Sequence, residues 1–393
     1  MRIGVYSDSY PDKRMILNKI PDCQYVQIEN KRENIARVLR LLGRAAHPLT
    51  QSDLYAREVH FTLDTSKNRD IDIIHTFNRV CLHDRNPWVA TFEKTFPEYF
   101  SDETKLNIKQ LRKQLPLLLS DNCRAILPMS QWAYNYECWL LSQIANRERA
   151  NKIREKMMVL YPPQQLLTTE EEIHRKYEDI EIIRFLYVGT QMKRKGGIEA
   201  LRAFHKLSST YHNFVVTVIG KPDAFYNNFS LSAEEMEEVN KIISGAHWLE
   251  YYSGLKNEAV IEKARKAHVG LLPTLGDTFG FSVLEMQACG CPVITTDRQA
   301  LPEINNNESG WILNTGKVHL EHGDDFAHYS HKEVHELSSV VESQLTEKLV
   351  MMLEDAHSIE TKAISAFRRV ARIHDPEQYA RELALIYRAG VDE

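Results

Sequence analysis

Two carboxylates eight residues apart, Asp277 and Glu285, bracket a small-residue turn that contains Gly276 and Gly280. The run Val269–Pro273 before the turn reads as a strand, and Phe281–Ala288 after it reads as a helix. A helix start offers backbone N–H groups and the positive end of a dipole, which together favour a phosphate or diphosphate. Gly280 has no Cβ to hold the backbone away from such an anion. Thr278, Phe279, Gly280 and Phe281 are therefore candidate diphosphate contacts, and Asp277 and Glu285 are candidate contacts to the rest of the ligand. A bland alternative stands beside this. Ser282-Val-Leu-Glu285 also fits an S-x-x-E capping box, where Glu285 only satisfies a backbone N–H, and Asp277 also fits a turn.

A second cluster lies upstream. The strand-like run Ile182–Val188 ends in Gly189-Thr190-Gln191-Met192, and Lys193, Arg194 and Lys195 then crowd the turn before the helix Gly197–Ser208. Three adjacent cations in such a turn either neutralise a bound anion or face water.

The elements around these clusters alternate. Arg2–Ser7, Ile71–His75, Trp88–Phe92 and Arg124–Pro128 read as strands, with helices over Lys31–Ala46 and Thr104–Gln114. Two prolines in Tyr161-Pro162-Pro163-Gln164-Gln165 break the pattern, and the polar stretch to Asp179 reads as an exposed connection. Alternation then restarts through Phe214–Ile219, Ala233–Ser244, Trp248–Tyr252, Asn257–Ala267 and Pro292–Thr295, before C-terminal helices that end with Pro376–Ala389. Such βα repetition predicts mostly parallel sheets. We expect an N-terminal domain over 1–165, a linker over 166–180, a second domain over 181–374, and a last helix over 375–393 that packs back on the first domain.

Composition agrees with a globular protein of more than one domain. The 393 residues are 43% hydrophobic and 26% charged, enough for sizeable cores and unlike a disordered tail or a disulfide-stapled scaffold. Net charge is −5, too small to imply a nucleic-acid partner, yet residues 1–160 carry +6 and the remainder −11. That asymmetry suggests two domains with different tasks. The six cysteines form no C-x-x-C pair, and Cys289-Gly-Cys291 is one residue too tight for the usual zinc spacing. No apolar run reaches the ~18–20 residues of a membrane helix, and the N-terminus does not read as a signal peptide, so the expected location is cytoplasmic.

Together the two clusters resemble the retaining glycosyltransferases of family 4, the E-x7-E or group 1 type. Family members show an acidic residue, a Gly-Phe-Gly-like turn, a Glu after seven intervening residues, and then Ala-Cys-Gly-x-Pro-Val-Ile. Asp277, Glu285 and Ala288-Cys-Gly-Cys-Pro-Val-Ile294 stand at those places here. The family's Val-Gly-Arg, followed several residues later by Lys-Gly, corresponds to Val188-Gly189-Thr190 and Lys195-Gly196, so Thr190 stands where Arg is usual. Gln299-Ala300 replaces the usual glycine pair, and Gly254 matches a loop near the nucleotide base. The resemblance is specific over about residues 182–304.

It implies a GT-B fold, an α/β protein with two Rossmann-like domains facing an interdomain cleft and a C-terminal helix crossing back to the first. It further implies that Asp277 contacts the donor sugar and Glu285 holds the ribose hydroxyls. Lys195 neutralises the leaving diphosphate together with Arg194 or Lys193, and Gly189, Thr190, Gly254 and Thr278–Phe281 line the donor. The first domain matches in outline only. Asp72-Ile-Ile-His75 resembles an Asp-Val-Val-His segment, and Glu93 stands where a histidine near the acceptor is common. His75 and Glu93 are thus the acceptor-side candidates, each with a structural alternative. The implied reaction moves a sugar from a nucleotide-sugar donor to a glycan or lipid-linked acceptor without cofactor or metal, the basic residues taking a metal's place. A sugar-nucleotide 2-epimerase on the same fold and a non-catalytic sugar-nucleotide binding protein are the rivals.

Two further features stand outside that scheme. His319, His322, His328, His331 and His335 fall within seventeen residues but lack a catalytic zinc motif such as H-E-x-x-H. Arg37, Arg40 and Arg44 form a basic stripe, suited either to anionic lipid at the inner face of the membrane or to plain solvent.

Overall fold

The computed structural model describes residues 1–32, 62–66, 70–82, 85–97, 100–102, 105–106, 108–224, 226–320 and 325–392. They form two compact units, Met1–Pro163 with Pro376–Glu393, and Gln164–Asp375.

The first unit opens with β1 (Arg2–Val5), α1 (Tyr10–Met15), β2 (Gln24–Gln27), β3 (Thr62–Leu63), β4 (Ile73–Phe77), β5 (Val80–Cys81) and β6 (Trp88–Phe92). It continues with β7 (Phe100–Asp102), β8 (Lys105–Leu106), α2 (Ile108–Leu119), β9 (Cys123–Pro128), α3 (Gln131–Ile144) and α4 (Arg147–Arg154). Five of these strands make one parallel sheet in the order β2-β1-β4-β6-β9, while β3 pairs with β5 and β7 with β8. Strands β4 and β6 are buried along their whole length, as a parallel sheet covered on both faces requires. Trp88, Phe92 and Phe96 fill the core with Leu111, Leu115 and Leu141. The Ser130 hydroxyl caps α3 by accepting from the Ala133 N–H at 3.0 Å. The expected helix from Thr104 begins at Ile108, and the stripe of Arg37, Arg40 and Arg44 lies outside the described residues.

The second unit starts with α5 (Glu170–Tyr177) and runs through β10 (Ile183–Gln191), α6 (Gly197–Leu207), β11 (Phe214–Lys221), α7 (Ala233–Gly245) and β12 (Leu249–Tyr252). Next come α8 (Asn257–Lys266), β13 (Val269–Leu272), α9 (Phe281–Ala288), β14 (Val293–Thr296), α10 (Leu301–Ile304), β15 (Gly310–Leu313), α11 (His331–Glu354) and α12 (His357–Ile373). All six strands are parallel, in the order β12-β11-β10-β13-β14-β15. Renumbered within the unit this is 3-2-1-4-5-6, the Rossmann order.

The stretch expected as an exposed linker, 166–180, is instead largely helix and part of the second unit. Thr169 and Glu172 form a reciprocal capping box, and Ile173 and Tyr177 are buried. The Tyr177 hydroxyl donates to the carbonyls of His268 and Gly290 at 2.8 and 2.9 Å, which fastens the helix to the sheet. The final helix, α13 (Pro376–Asp392), belongs to the first unit. Its Tyr379 hydroxyl donates to Met15 O at 2.6 Å. Among the described residues no helix is long and apolar enough to cross a membrane.

Candidate active site

In the second sheet the strand order reverses between β10 and β13. Crossovers leaving that point diverge to opposite faces, and open α/β sheets bind ligands in the crevice so formed. The basic turn follows β10 there and the Asp277 loop follows β13.

These two loops are stitched together through backbone. Leu275 N–H and the Thr274 hydroxyl both donate to Arg194 O, at 2.9 and 3.0 Å. Gly196, at φ +76°, turns the chain into α6, and a Cβ there would lie 1.9 Å from Pro273 O. Only glycine permits both the left-handed backbone and that approach.

The stitching brings charge together. Asp277, 6% exposed, has Lys195 Nζ 3.1 Å from Oδ2 and Arg194 Nη1 3.9 Å from Oδ1. Its N–H donates to Gln299 Oε1 at 3.0 Å. Burial pushes the Asp277 carboxyl up, but Lys195, Arg194 and the Thr278 N–H outweigh it, so the net shift is downward and the group is ionised. The stem of Lys195 lies against Gly189. Arg194 donates from Nε to Gln191 Oε1 at 2.6 Å and from Nη1 to Gly276 O.

Lys193 departs from expectation. Its ammonium turns into the core beside Glu199 at 3.3 Å, Ser338 Oγ at 3.2 Å and Glu235 at 3.6 Å. Neighbouring side chains in the turn point different ways, and Arg194 is the one brought to Asp277 beside Lys195.

Gly280 is the N-cap of α9 at φ +91°, with no side chain to cap the helix start. Ser282 lies inside the helix, so the capping-box alternative for Glu285 fails. Glu285 is buried, and its Oε1 accepts from Asn257 Nδ2 at 3.3 Å, at the first residue of α8. Phe279 is buried against Phe281, ring centroids 5.1 Å apart, and Thr278 is half-buried. Thr190 and Gly254 are exposed, at and just beyond the ends of β10 and β12.

In the first unit, His75 is not placed to meet an acceptor. It is fully buried, with Nδ1 2.6 Å from the Tyr387 hydroxyl and Nε2 2.8 Å from Thr91 Oγ1. Burial drops its pKa to about 3 and keeps it neutral. Glu93 is half-buried at the end of β6, where its N–H donates to Asn78 Oδ1 at 3.3 Å. Of the clustered histidines, His322 lies outside the described residues and His328 pairs with Asp325 at 3.0 Å. Among the described residues, no three metal-ligating side chains come together.

Motif and spacing assign no role to Gln191 or Gln299, which fix Arg194 and the Asp277 backbone. The departure from the family's glycine pair at Gln299 was the available signal.

Comparison with known families shows that residues 169–320 match the model for glycosyl transferases group 1. The chain carries a group 1 glycosyltransferase domain. That domain spans α5 to just beyond β15 and includes Lys195, Asp277 and Glu285, and with it the chain is a glycosyltransferase. No curated protein matches this chain. Solved structures similar to the chain include sucrose-phosphate synthase from Thermosynechococcus elongatus, at 15% identity and TM-score 0.59, covering 98% of this chain and 88% of that one. Another is Anabaena HepE in complex with UDP, at 13% identity and TM-score 0.55, covering 98% and 90%. The glycosyltransferase WaaG of lipopolysaccharide biosynthesis is similar at 15% identity and TM-score 0.54, covering 97% and 99%. Similarity at this level establishes the fold, which is GT-B with two Rossmann-like units. The match of residues 169–320 to the glycosyl transferases group 1 model favours transfer over epimerisation.

Proposed function

We propose that this glycosyltransferase moves a sugar from a nucleotide-sugar donor to a glycan or lipid-linked acceptor, with retention of anomeric configuration and without a metal ion. The observation that carries the reading is the grouping of Lys195 and Arg194 around Asp277 at the point where the strand order reverses. Breaking the sugar–phosphate bond builds negative charge on the departing diphosphate. Preorganised donors aimed at such charge lower a barrier by about 3–4 kcal/mol each.

Lys195 and Arg194 are the cations in this reading, and the start of α9 at Thr278–Phe281 adds backbone dipoles. When the diphosphate draws the cations toward itself, Asp277 is released to hold a sugar hydroxyl, while Glu285 takes the ribose. Gly189, Thr190 and Gly254 lie along the remaining donor path. The acceptor attacks from the face the diphosphate leaves, which gives retention, and Glu93 is the acceptor-side candidate that remains in the first unit. The positive charges at the diphosphate fill the place a metal takes elsewhere.

The UDP in the HepE structure makes UDP-sugars the first donors to try. Proton NMR of the protein with a panel of nucleotide sugars in EDTA is the test. Release of one nucleotide with an α-configured sugar from an α-linked donor supports the reading. Sugar interconversion without release contradicts it, as does a strict requirement for divalent metal.

A cytoplasmic location is proposed with it, Arg37, Arg40 and Arg44 meeting anionic lipid at the inner membrane face. Sequence alone supports that contact. Replacing all three with Glu should abolish cosedimentation with anionic vesicles, and unchanged cosedimentation removes the stripe from the account.

A further inference from the structure

Arg194 is held in an unusual way for a surface-loop cation. Its guanidinium carbon lies 5.5 Å from the Tyr226 ring centroid and 5.2 Å from that of Phe326, and the two rings are 5.7 Å apart. The side chain is only 12% exposed. Of its five N–H donors, Nε is taken by Gln191 and one on Nη1 by Gly276 O, with no other hydrogen-bond partner among the described residues. Aromatic faces stabilise a cation without consuming its N–H groups. A nearly buried guanidinium held this way retains donors for an anion.

The rings come from two distant segments that fasten to each other. Asn227 Nδ2 donates to Ala327 O at 3.2 Å, and Asn228 Nδ2 donates to Tyr329 O at 2.8 Å. The second segment is a short 3-10 turn, Phe326–His328, in which Asp325 Oδ1 accepts from Ala327 N–H at 3.1 Å. Just beyond it, the Tyr329 hydroxyl accepts from Gln299 Nε2 at 3.4 Å, and Gln299 Oε1 holds the Asp277 N–H. One turn therefore reaches both partners, Arg194 through Phe326 and Asp277 through Tyr329 and Gln299.

We propose that Tyr226 and Phe326 are positioning residues that hold the Arg194 guanidinium for the donor's diphosphate. This rests on the donor-site reading above. The rings touch no reacting atom in it and act only through Arg194. Packing against two ring faces fixes the plane of the guanidinium, and the low local exposure strengthens its pull on a phosphate. Neither residue belongs to the two motifs.

The test is a double-mutant comparison in the full chain. It follows nucleotide release from the donor selected by the panel, and nucleoside diphosphate affinity by calorimetry. Phe326→Leu and Tyr226→Leu should each lower kcat and weaken nucleoside diphosphate binding about tenfold, while Tyr226→Phe, which keeps the ring, stays near wild type. In an Arg194→Ala background the two leucine substitutions should have no further effect, because the group they position is gone. Far- and near-ultraviolet circular dichroism keeps a folding defect distinguishable. Full additivity with Arg194→Ala in folded variants overturns the proposal. If the wild type neither binds nucleoside diphosphates nor releases nucleotide, the donor-site reading itself fails.

Discussion

Lys195 and Asp277 face each other at 3.1 Å across two loops that leave neighbouring strands, with Arg194 on the carboxylate's other oxygen. Without ligand, the carboxylate occupies the cations that the donor-site reading assigns to a diphosphate. Asp277→Asn should therefore cut turnover about 100-fold while nucleoside diphosphate affinity holds or rises. Loss of both together would make Asp277 a scaffold for the loop. The shift of its carboxyl is downward, so no activity should be lost to its protonation until pH falls below its ordinary value of 3.8.

Lys193 should behave differently from its two neighbours. Lys193→Met removes the buried partner of Glu199 and should cost about 3–5 kcal/mol of stability in urea unfolding. The folded fraction should keep its turnover at temperatures where it is intact. A large kcat loss without destabilisation would return Lys193 to the donor site.

The contrast among these three cations shows where sequence reading stops. Chain order alone placed Asp277, Gly280 and α9, because a strand, a turn and a helix start are local and each leaves its mark within a few residues. Rotation about single bonds within the basic turn decides which of Lys193 and Arg194 faces the ligand, and no spacing encodes it. Tyr226 and Phe326 meet Arg194 only through the fold, from positions with no motif around them. The helix at 170–177 was legible in principle from the Thr169-x-x-Glu172 capping box, but its three leading glutamates read as solvated chain.

His75 shows the same limit over a longer reach, since its partner Tyr387 lies 312 positions away. Tyr387→Phe leaves a ring nitrogen buried without its partner and should cost about 1–3 kcal/mol in the unfolding of the first unit. The folded His75 stays neutral down to about pH 3, whereas the unfolded one takes a proton near 6.5. Between those values the unfolded state binds more protons, so this contribution to stability is lost as pH falls through the window. His75→Gln should flatten that dependence, and an unchanged acid limb would contradict it.

Glu137 carries the opposite sign. It is 1% exposed, its Oε2 accepts from Phe96 N–H at 2.8 Å, and burial raises its pKa to about 8. Between the ordinary 4.5 and 8 the folded state holds a proton that the unfolded state has released. Stability therefore falls as pH rises across that window, by at most about 1.4 kcal/mol per pH unit. Glu137→Gln should gain on the wild type at pH 8 relative to pH 5, as read from urea midpoints. An equal difference at both values would show that the carboxyl is charged in the fold.

In the donor-site reading Lys195 stabilises a departing diphosphate, and steady-state nucleotide release by Lys195→Ala against wild type is the decisive comparison. The donor is the one the panel selects, with EDTA present and melting curves run on the same samples. We expect kcat to fall by about 100-fold or more with the melting temperature within a few degrees of wild type. Unchanged turnover in a folded variant would remove Lys195 from the mechanism and with it the reading of this site.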